Sequence, residues 1–253
     1  MILLVRLEPV SGRPRGDQRW STFLRNHAQA IVACDFFVAV TATFIYVFVV
    51  MHHSSRRLLH FNVTKHPTAD WTLQQLRQTF GPDDAFRFLL HDRDSIFSEG
   101  LDRSIAAFGL RVLKSPPRSP KANALRERLI GTIRRECLDW LIPPSEHHLR
   151  LLLKTWAVHY NRSRPHMGLG SGIPDPPAPP SRPNIERGRH RLDAGACLRV
   201  KSILGGLHHE YDRARNCTFG GVHSVVRWNT RLRAARVRLI VASATADSWR
   251  QIM

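Results

Sequence analysis

Three acids stand where carboxylates could do chemistry. Asp35 interrupts Ile31-Val32-Ala33-Cys34-Asp35-Phe36-Phe37-Val38, Asp92 ends Phe86-Arg87-Phe88-Leu89-Leu90-His91-Asp92, and Glu127 lies in a helical stretch beginning near Pro120. A buried acid is costly to keep ionised alone, whereas acids sharing divalent cations stay charged because the metal supplies the opposite charge. In a chain of formal net charge +18, such a trio suggests a metal-dependent enzyme acting on nucleic acid. Two Mg²⁺ ions held there would lower the pKa of an attacking water or hydroxyl and steady the leaving oxygen of a phosphodiester. Any one of these acids alone reads more readily as a solvated residue or a cap. Asp35 is the hardest to dismiss, because apolar residues surround it.

The rest of the composition supports a polyanionic partner. Lys and Arg number 38 against 20 Asp and Glu, the pI is near 11.3, and residues 174–253 hold 14 of those bases against 6 acids. Charge of this kind fits phosphate contacts without specifying sequence. Cys34, Cys137, Cys197 and Cys217 form no C-x-x-C pair, so neither a zinc knuckle nor a disulfide framework is indicated and a reducing cytoplasm fits. Met1 to Val5 is too short an apolar stretch for a signal peptide. Ile31 to Met51 is long enough to span a bilayer. Asp35 and the many β-branched residues of that run favour two adjacent core strands instead.

The elements that must position the acids follow from periodicity. Residues 1–29 read as an irregular lead-in with a helical turn near Trp20 to His27. Strands are expected at Ile31–Thr41, Phe44–Met51 and Arg57–Thr64, the last alternating and at or near a sheet edge. A helix capped by Thr68 or Asp70 carries Trp71, Leu73, Leu76 and Phe80, then a strand covers Phe86–Leu90. A helix over Ser98–Gly109, a short strand at Leu110–Leu113, a long helix from about Ala122 to Trp140 and a helix over Glu146–Asn161 complete the order. This predicts an α/β fold, a mixed five-stranded sheet flanked by helices, with the early strands antiparallel and the later ones parallel. Residues 30–173 would form this core, the six prolines of Pro174–Pro183 a stiff linker, and residues 184–253 a poorly defined basic C-terminal extension, in part without fixed structure.

Several segments together resemble the catalytic domain of retroviral-type integrases and bacterial insertion-sequence transposases, the D,D,E group with a ribonuclease H-like fold. They are Ala33-Cys34-Asp35-Phe36-Phe37, His91-Asp92-Arg93-Asp94-Ser95-Ile96-Phe97, Ser119-Pro120-Lys121-Ala122-Asn123-Ala124-Leu125-Arg126-Glu127-Arg128, Gly131-Thr132-Ile133-Arg134-Arg135-Glu136-Cys137-Leu138 and Trp156 to His166, with 35 positions from Asp92 to Glu127. The resemblance covers roughly residues 18 to 211. It implies that Asp35, Asp92 and Glu127 ligate two Mg²⁺ or Mn²⁺ ions. It also implies a DNA-facing surface around Asn123 and Arg128, with Lys114, Arg118, Lys121, Arg134 and Arg135 meeting phosphates. For any one of these bases a solvated helix face is an equal reading.

The implied reaction is cutting at an element's ends followed by attack of the freed 3′ hydroxyl on target DNA. A homo-multimer on DNA is implied as well, with no membrane or small-molecule substrate, in a bacterial cytoplasm at the nucleoid. A catalytically inactive DNA-binding remnant and a nuclease of the same fold are the alternatives.

Three departures bear on this. Many relatives have Gly where this chain has Asp94. About 30 residues precede Asp35, short for the usual end-recognising helix-turn-helix region, so a truncated copy is one expectation. Beyond Gly205-Gly206-Leu207-His208-His209-Glu210-Tyr211 the resemblance stops, and the Arg-rich text from Asp212 onward reads as the product of a frameshift rather than a DNA-binding module. His208, His209 and Glu210 do not suggest a metal site, since neighbours on a strand point to opposite faces.

Overall fold

The apolar run that is long enough for a membrane span folds back on itself as a hairpin. Ile31–Val40 (β1) and Phe44–His52 (β2) pair antiparallel from Val32↔His52 to Val40↔Phe44. Among the residues described by this computed structural model, 20–41, 43–81, 84–115, 120–177, 197–214 and 225–226, no helix is long and apolar enough to cross a membrane.

Leu58–Thr64 (β3) continues the sheet antiparallel to β2, while Phe88–His91 (β4) and Arg111–Lys114 (β5) run parallel to β1, giving the order β3-β2-β1-β4-β5. The expected mixed five-stranded sheet is therefore present. β3 starts one residue later than expected because Arg56, at φ 59°, closes a turn by donating its N–H to the His52 carbonyl at 2.9 Å. It is an edge strand, and its end is capped by α5 (Glu146–Arg162): Asn161 accepts from the Leu58 N–H and donates to the Leu58 carbonyl, both at 2.9 Å. Such pairing protects an edge that would otherwise be open to another chain.

Helices cover both faces. Trp20–Asn26 (α1), Ala69–Thr79 (α2), Glu99–Ala106 (α3) and Pro120–Ile133 (α4) join α5, and Thr68, Ser98 and Ser145 cap α2, α3 and α5 by accepting a backbone N–H three residues on. Odd-numbered β1 residues Ile31, Ala33, Phe37 and Ala39 pack with Leu129 and Ile133 of α4 and Leu153 and Trp156 of α5; even-numbered Val32 and Cys34 pack with Leu76, Leu101 and Ile105 of α2 and α3. That two-residue alternation decides which helices each β1 side chain meets. Asp35, odd-numbered, lies on the α4 side.

The expected long helix is not continuous to Trp140. After Ile133 it widens into a π-helical segment, Arg134–Leu138, where the Asp139 N–H donates to the Arg134 carbonyl at 2.8 Å. The extra residue in that turn rotates the face: Cys137 enters the core and Glu136 meets Arg164.

The described residues fall into two compact units, one holding those up to 177 and 202–210, the other 197–201, 211–214 and 225–226; the expected proline linker beyond Pro177 lies outside the described residues. The first holds the five-stranded sheet. In the second, residues of Cys197–Ile203 pair antiparallel with Val225–Val226, through Leu198↔Val226 and Arg199↔Val225.

Candidate active site

The parallel register brings two of the three acids level. Ala33 pairs with Leu90, and carrying that register two residues on sets Asp35 beside Asp92, just past the end of β4. Neighbouring strands lie about 4.8 Å apart. Asp35 is only 8% exposed, and its Oδ1 accepts the Phe36 N–H at 2.8 Å. Burial pushes its carboxyl up to about 6, Arg126 opposes that rise, and the charges of Asp92 and Asp94 add to it. A desolvated carboxylate crowded by other acids has the chemistry of a hard-cation ligand.

Asp92 is half-buried and begins a tight turn in which its Oδ1 accepts the Asp94 N–H at 3.0 Å. Asp94, the departure noted in the sequence, continues that turn: its Oδ1 accepts the Ile96 N–H at 2.9 Å. It thus braces the turn and adds a charge near Asp35. His91, fully buried, underpins the segment. Its Nδ1 lies 2.5 Å from the Asp92 carbonyl oxygen and its Nε2 3.0 Å from Asp102, and its ring stacks on Phe97.

Glu127 is exposed on α4, and among the described residues no three His, Cys, Asp or Glu side chains group as a metal site. The helix explains this. Successive residues point about 100° apart, and it is Arg126 that faces the sheet. That arginine is 1% exposed. Its Nη1 donates to the carbonyls of Cys34 at 3.0 Å and Leu90 at 3.2 Å, its Nη2 donates to Ser115 Oγ at 2.9 Å, and its Nε lies 3.7 Å from Asp35 Oδ2. One guanidinium thus joins β1, β4 and the residue after β5. Sequence reading singled out its neighbour and passed it over. The signal was present, because Arg126 shares helical spacing i, i+3, i+4 and i+7 with Leu129, Ile130 and Ile133, the face turned to the core. The oxygen donors Asp35 and Asp92 fit a divalent cation; with Glu127 they do not form a three-residue metal group among the described residues.

The expected phosphate contacts are placed unevenly. Arg128, Arg134 and Arg135 are exposed, with Arg134 also donating to the Val38 carbonyl at 3.2 Å. Lys114 is paired with Asp102 at 2.7 Å. Arg118 and the side chains of Lys121 and Asn123 lie outside the described residues. His208 stacks on His159 and Glu210 meets His159 at 3.1 Å, while His209 is exposed, the alternation expected of a strand.

Residues 109–174 match the family model described as "Integrase core domain". Among solved structures, the catalytic core domain of BIV integrase is 15% identical, with a TM-score of 0.45 over 58% of this chain and 91% of that one. A simian T-cell lymphotropic virus intasome in complex with PP2A regulatory subunit B56 gamma is 14% identical, with a TM-score of 0.47 over 74% and 68%. The catalytic domain of Mos1 mariner transposase is 16% identical, with a TM-score of 0.46 over 55% and 76%. No curated protein matches the chain. The fold is ribonuclease H-like on its strand order and helix placement.

Proposed function

We propose, from an integrase-type core on a ribonuclease H-like sheet, that the chain carries out metal-dependent DNA strand transfer, phosphodiester cleavage and joining of the transposase and integrase kind. The observation that carries this reading is Asp35, buried level with Asp92 where the charges of Asp92 and Asp94 press upon it. Asp35, Asp92 and Glu127 would hold Mg²⁺ or Mn²⁺, two ions in the full reading. Bound there, the metal supplies Lewis-acid charge to an in-line displacement at phosphorus. The protein's own part is to hold those carboxylates on a strand, at the end of its neighbour and on a helix. His91, wedged between Asp102 and the Asp92 carbonyl, fixes the second of them. Arg128, Arg134 and Arg135 present positive charge along one helix for the phosphate backbone.

The partners on this reading are element-end and target DNA, and a multimer of the chain, because two ends must be joined together. The buried free thiols of Cys34 and Cys137 suit a reducing cytoplasm.

A second reading, a DNA-binding remnant without catalysis, draws on Arg126 beside Asp35 and on the exposed Glu127. Incubation with labelled DNA ends and Mg²⁺ or Mn²⁺, beside Asp92→Asn, separates the two. Strand transfer by the native protein and none by the variant is expected. Equal product from both removes the catalytic assignment, and binding without cleavage selects the remnant.

A further inference from the structure

Arg126 places a permanent positive charge inside the cleft that the reading above assigns to a cation. Its Nε stands 3.7 Å from Asp35 Oδ2, and its Nη1 and Nη2 are engaged by the carbonyls of Cys34 and Leu90 and by Ser115 Oγ. An arginine is always charged and is rarely buried without a carboxylate partner. A flexible surface arginine would swing away from an arriving cation at little cost. This one is fixed at both ends of its fork and 1% exposed, so it cannot leave without abandoning three hydrogen bonds in the interior.

We propose that Arg126 is an internal counter-cation for Asp35, a positioning residue that ties the middle of β1 and the end of β4 to Ser115 and competes with a divalent ion for the same carboxylate. This rests on the strand-transfer reading for the identity of the cleft, though the pairing itself does not. Two consequences follow from the charges. The cleft holds together without metal, because Asp35 already has a cation beside it. Divalent ions bind weakly to the protein alone, because they enter against a like charge that stays in place.

The test is Mn²⁺ binding by the full chain, followed by electron paramagnetic resonance of unbound Mn²⁺, in the native protein, Arg126→Met and Arg126→Lys. Arg126→Met should bind Mn²⁺ about tenfold more tightly or better, since the repulsion is removed, and Arg126→Lys, which keeps the charge, should bind as the native protein does. A role confined to packing would leave the affinity unchanged or weaken it in Arg126→Met, and that result overturns the proposal.

A second arm works in chelator and needs no metal. Asp35→Asn should raise the melting temperature more in the Arg126→Met background than in the native one, because the acid there has lost its counter-ion; equal shifts overturn the pairing. If Arg126→Met alone does not fold, adding Asp35→Asn should restore folding, and failure to restore it counts against the pairing. Absence of Mn²⁺ uptake in every variant would sink the strand-transfer reading, while the chelator arm would still decide the role of Arg126.

Discussion

Two charged clusters flank the helix that follows Pro120, and they differ in how their charges are balanced. Downstream, Glu136 is gripped by the Arg164 guanidinium, with Nε at 2.8 and 2.9 Å from its two oxygens and Nη2 at 2.5 Å, and His208 Nε2 lies 2.7 Å from the Glu136 carbonyl oxygen. One acid meets one base in good geometry. Upstream, Asp35 meets Arg126 at 3.7 Å, with Asp92 and Asp94 both acting on it. There the buried acid faces its guanidinium at a longer distance than Glu136 does, and a half-buried and an exposed acid act on it as well. The first cluster is complete as it stands and serves the fold; the second balances its buried acid only in part. A fold tolerates such a partly balanced buried acid where a ligand is to make it good.

The sharpest way to break this contrast is to neutralise one acid on each side. In chelator at pH 7.5, Asp35→Asn should stabilise the protein, by up to about 3 kcal/mol, because the folded state holds an ionised Asp35 at a cost. Urea unfolding would measure it, and a loss of stability would show that Asp35 is as well balanced as Glu136. Strand transfer should fall in the same variant by about a thousandfold or more.

On the other side the sign should reverse. Arg164→Met leaves Glu136 without its bidentate partner in a half-buried place and should cost about 2 kcal/mol, less than a fully buried pair would because both side chains retain some solvent contact. Strand transfer per folded molecule should be unchanged. A variant that unfolds no more easily than the native protein would mean that the downstream cluster is not structural.

The edge of the sheet offers an intermediate case. Asn161→Ala removes both bonds to Leu58 and should cost about 1–2 kcal/mol, read as faster hydrogen exchange along β3 before the core exchanges. Protection of β3 equal to that of β1 in this variant would show that Asn161 is not what secures the edge.

How far this contrast could be read from the chain depends on the range of the forces involved. Strand and helix order was legible because two-residue and 3.6-residue periodicities are local, as in Leu58–Thr64 and in the Thr68 and Ser145 caps. The levelling of Asp35 with Asp92 followed from a parallel sheet with Asp35 inside the first strand and Asp92 at the end of its neighbour. Arg126 was not singled out because residue type was read without its angle on the helix; it, one place before Glu127, holds the inward direction. The π-helical turn at Arg134–Leu138 left no local mark, since it depends on Cys137 finding the core and Glu136 finding Arg164, 28 residues on. Lys114 is a phosphate contact by the family resemblance, and only the fold brings Asp102 to it.

The smallest expected effect is a dependence on pH that two groups largely hide from each other. Burial pushes Asp35 up to about 6, so between pH 4 and 6 the folded state holds a proton that the unfolded chain has released. Stability from this group is full below pH 4 and is lost as pH rises through 6. His53 runs the other way: burial first, then the nearby positive groups His52, Arg126 and Arg56, pull it down to about 4. Over the same interval the unfolded chain gains a proton at this histidine that the folded state refuses, so its contribution is lost as pH falls from 6.5 towards 4. Native stability in chelator should therefore change little across this range on account of these two groups. Asp35→Asn should leave stability rising with pH, and His53→Gln should leave it falling. Urea midpoints at pH 4, 5 and 6 for the three proteins would measure the slopes. Parallel slopes in all three would mean that neither group is held away from its ordinary titration, and that the upstream acid cluster is no less balanced than the downstream one.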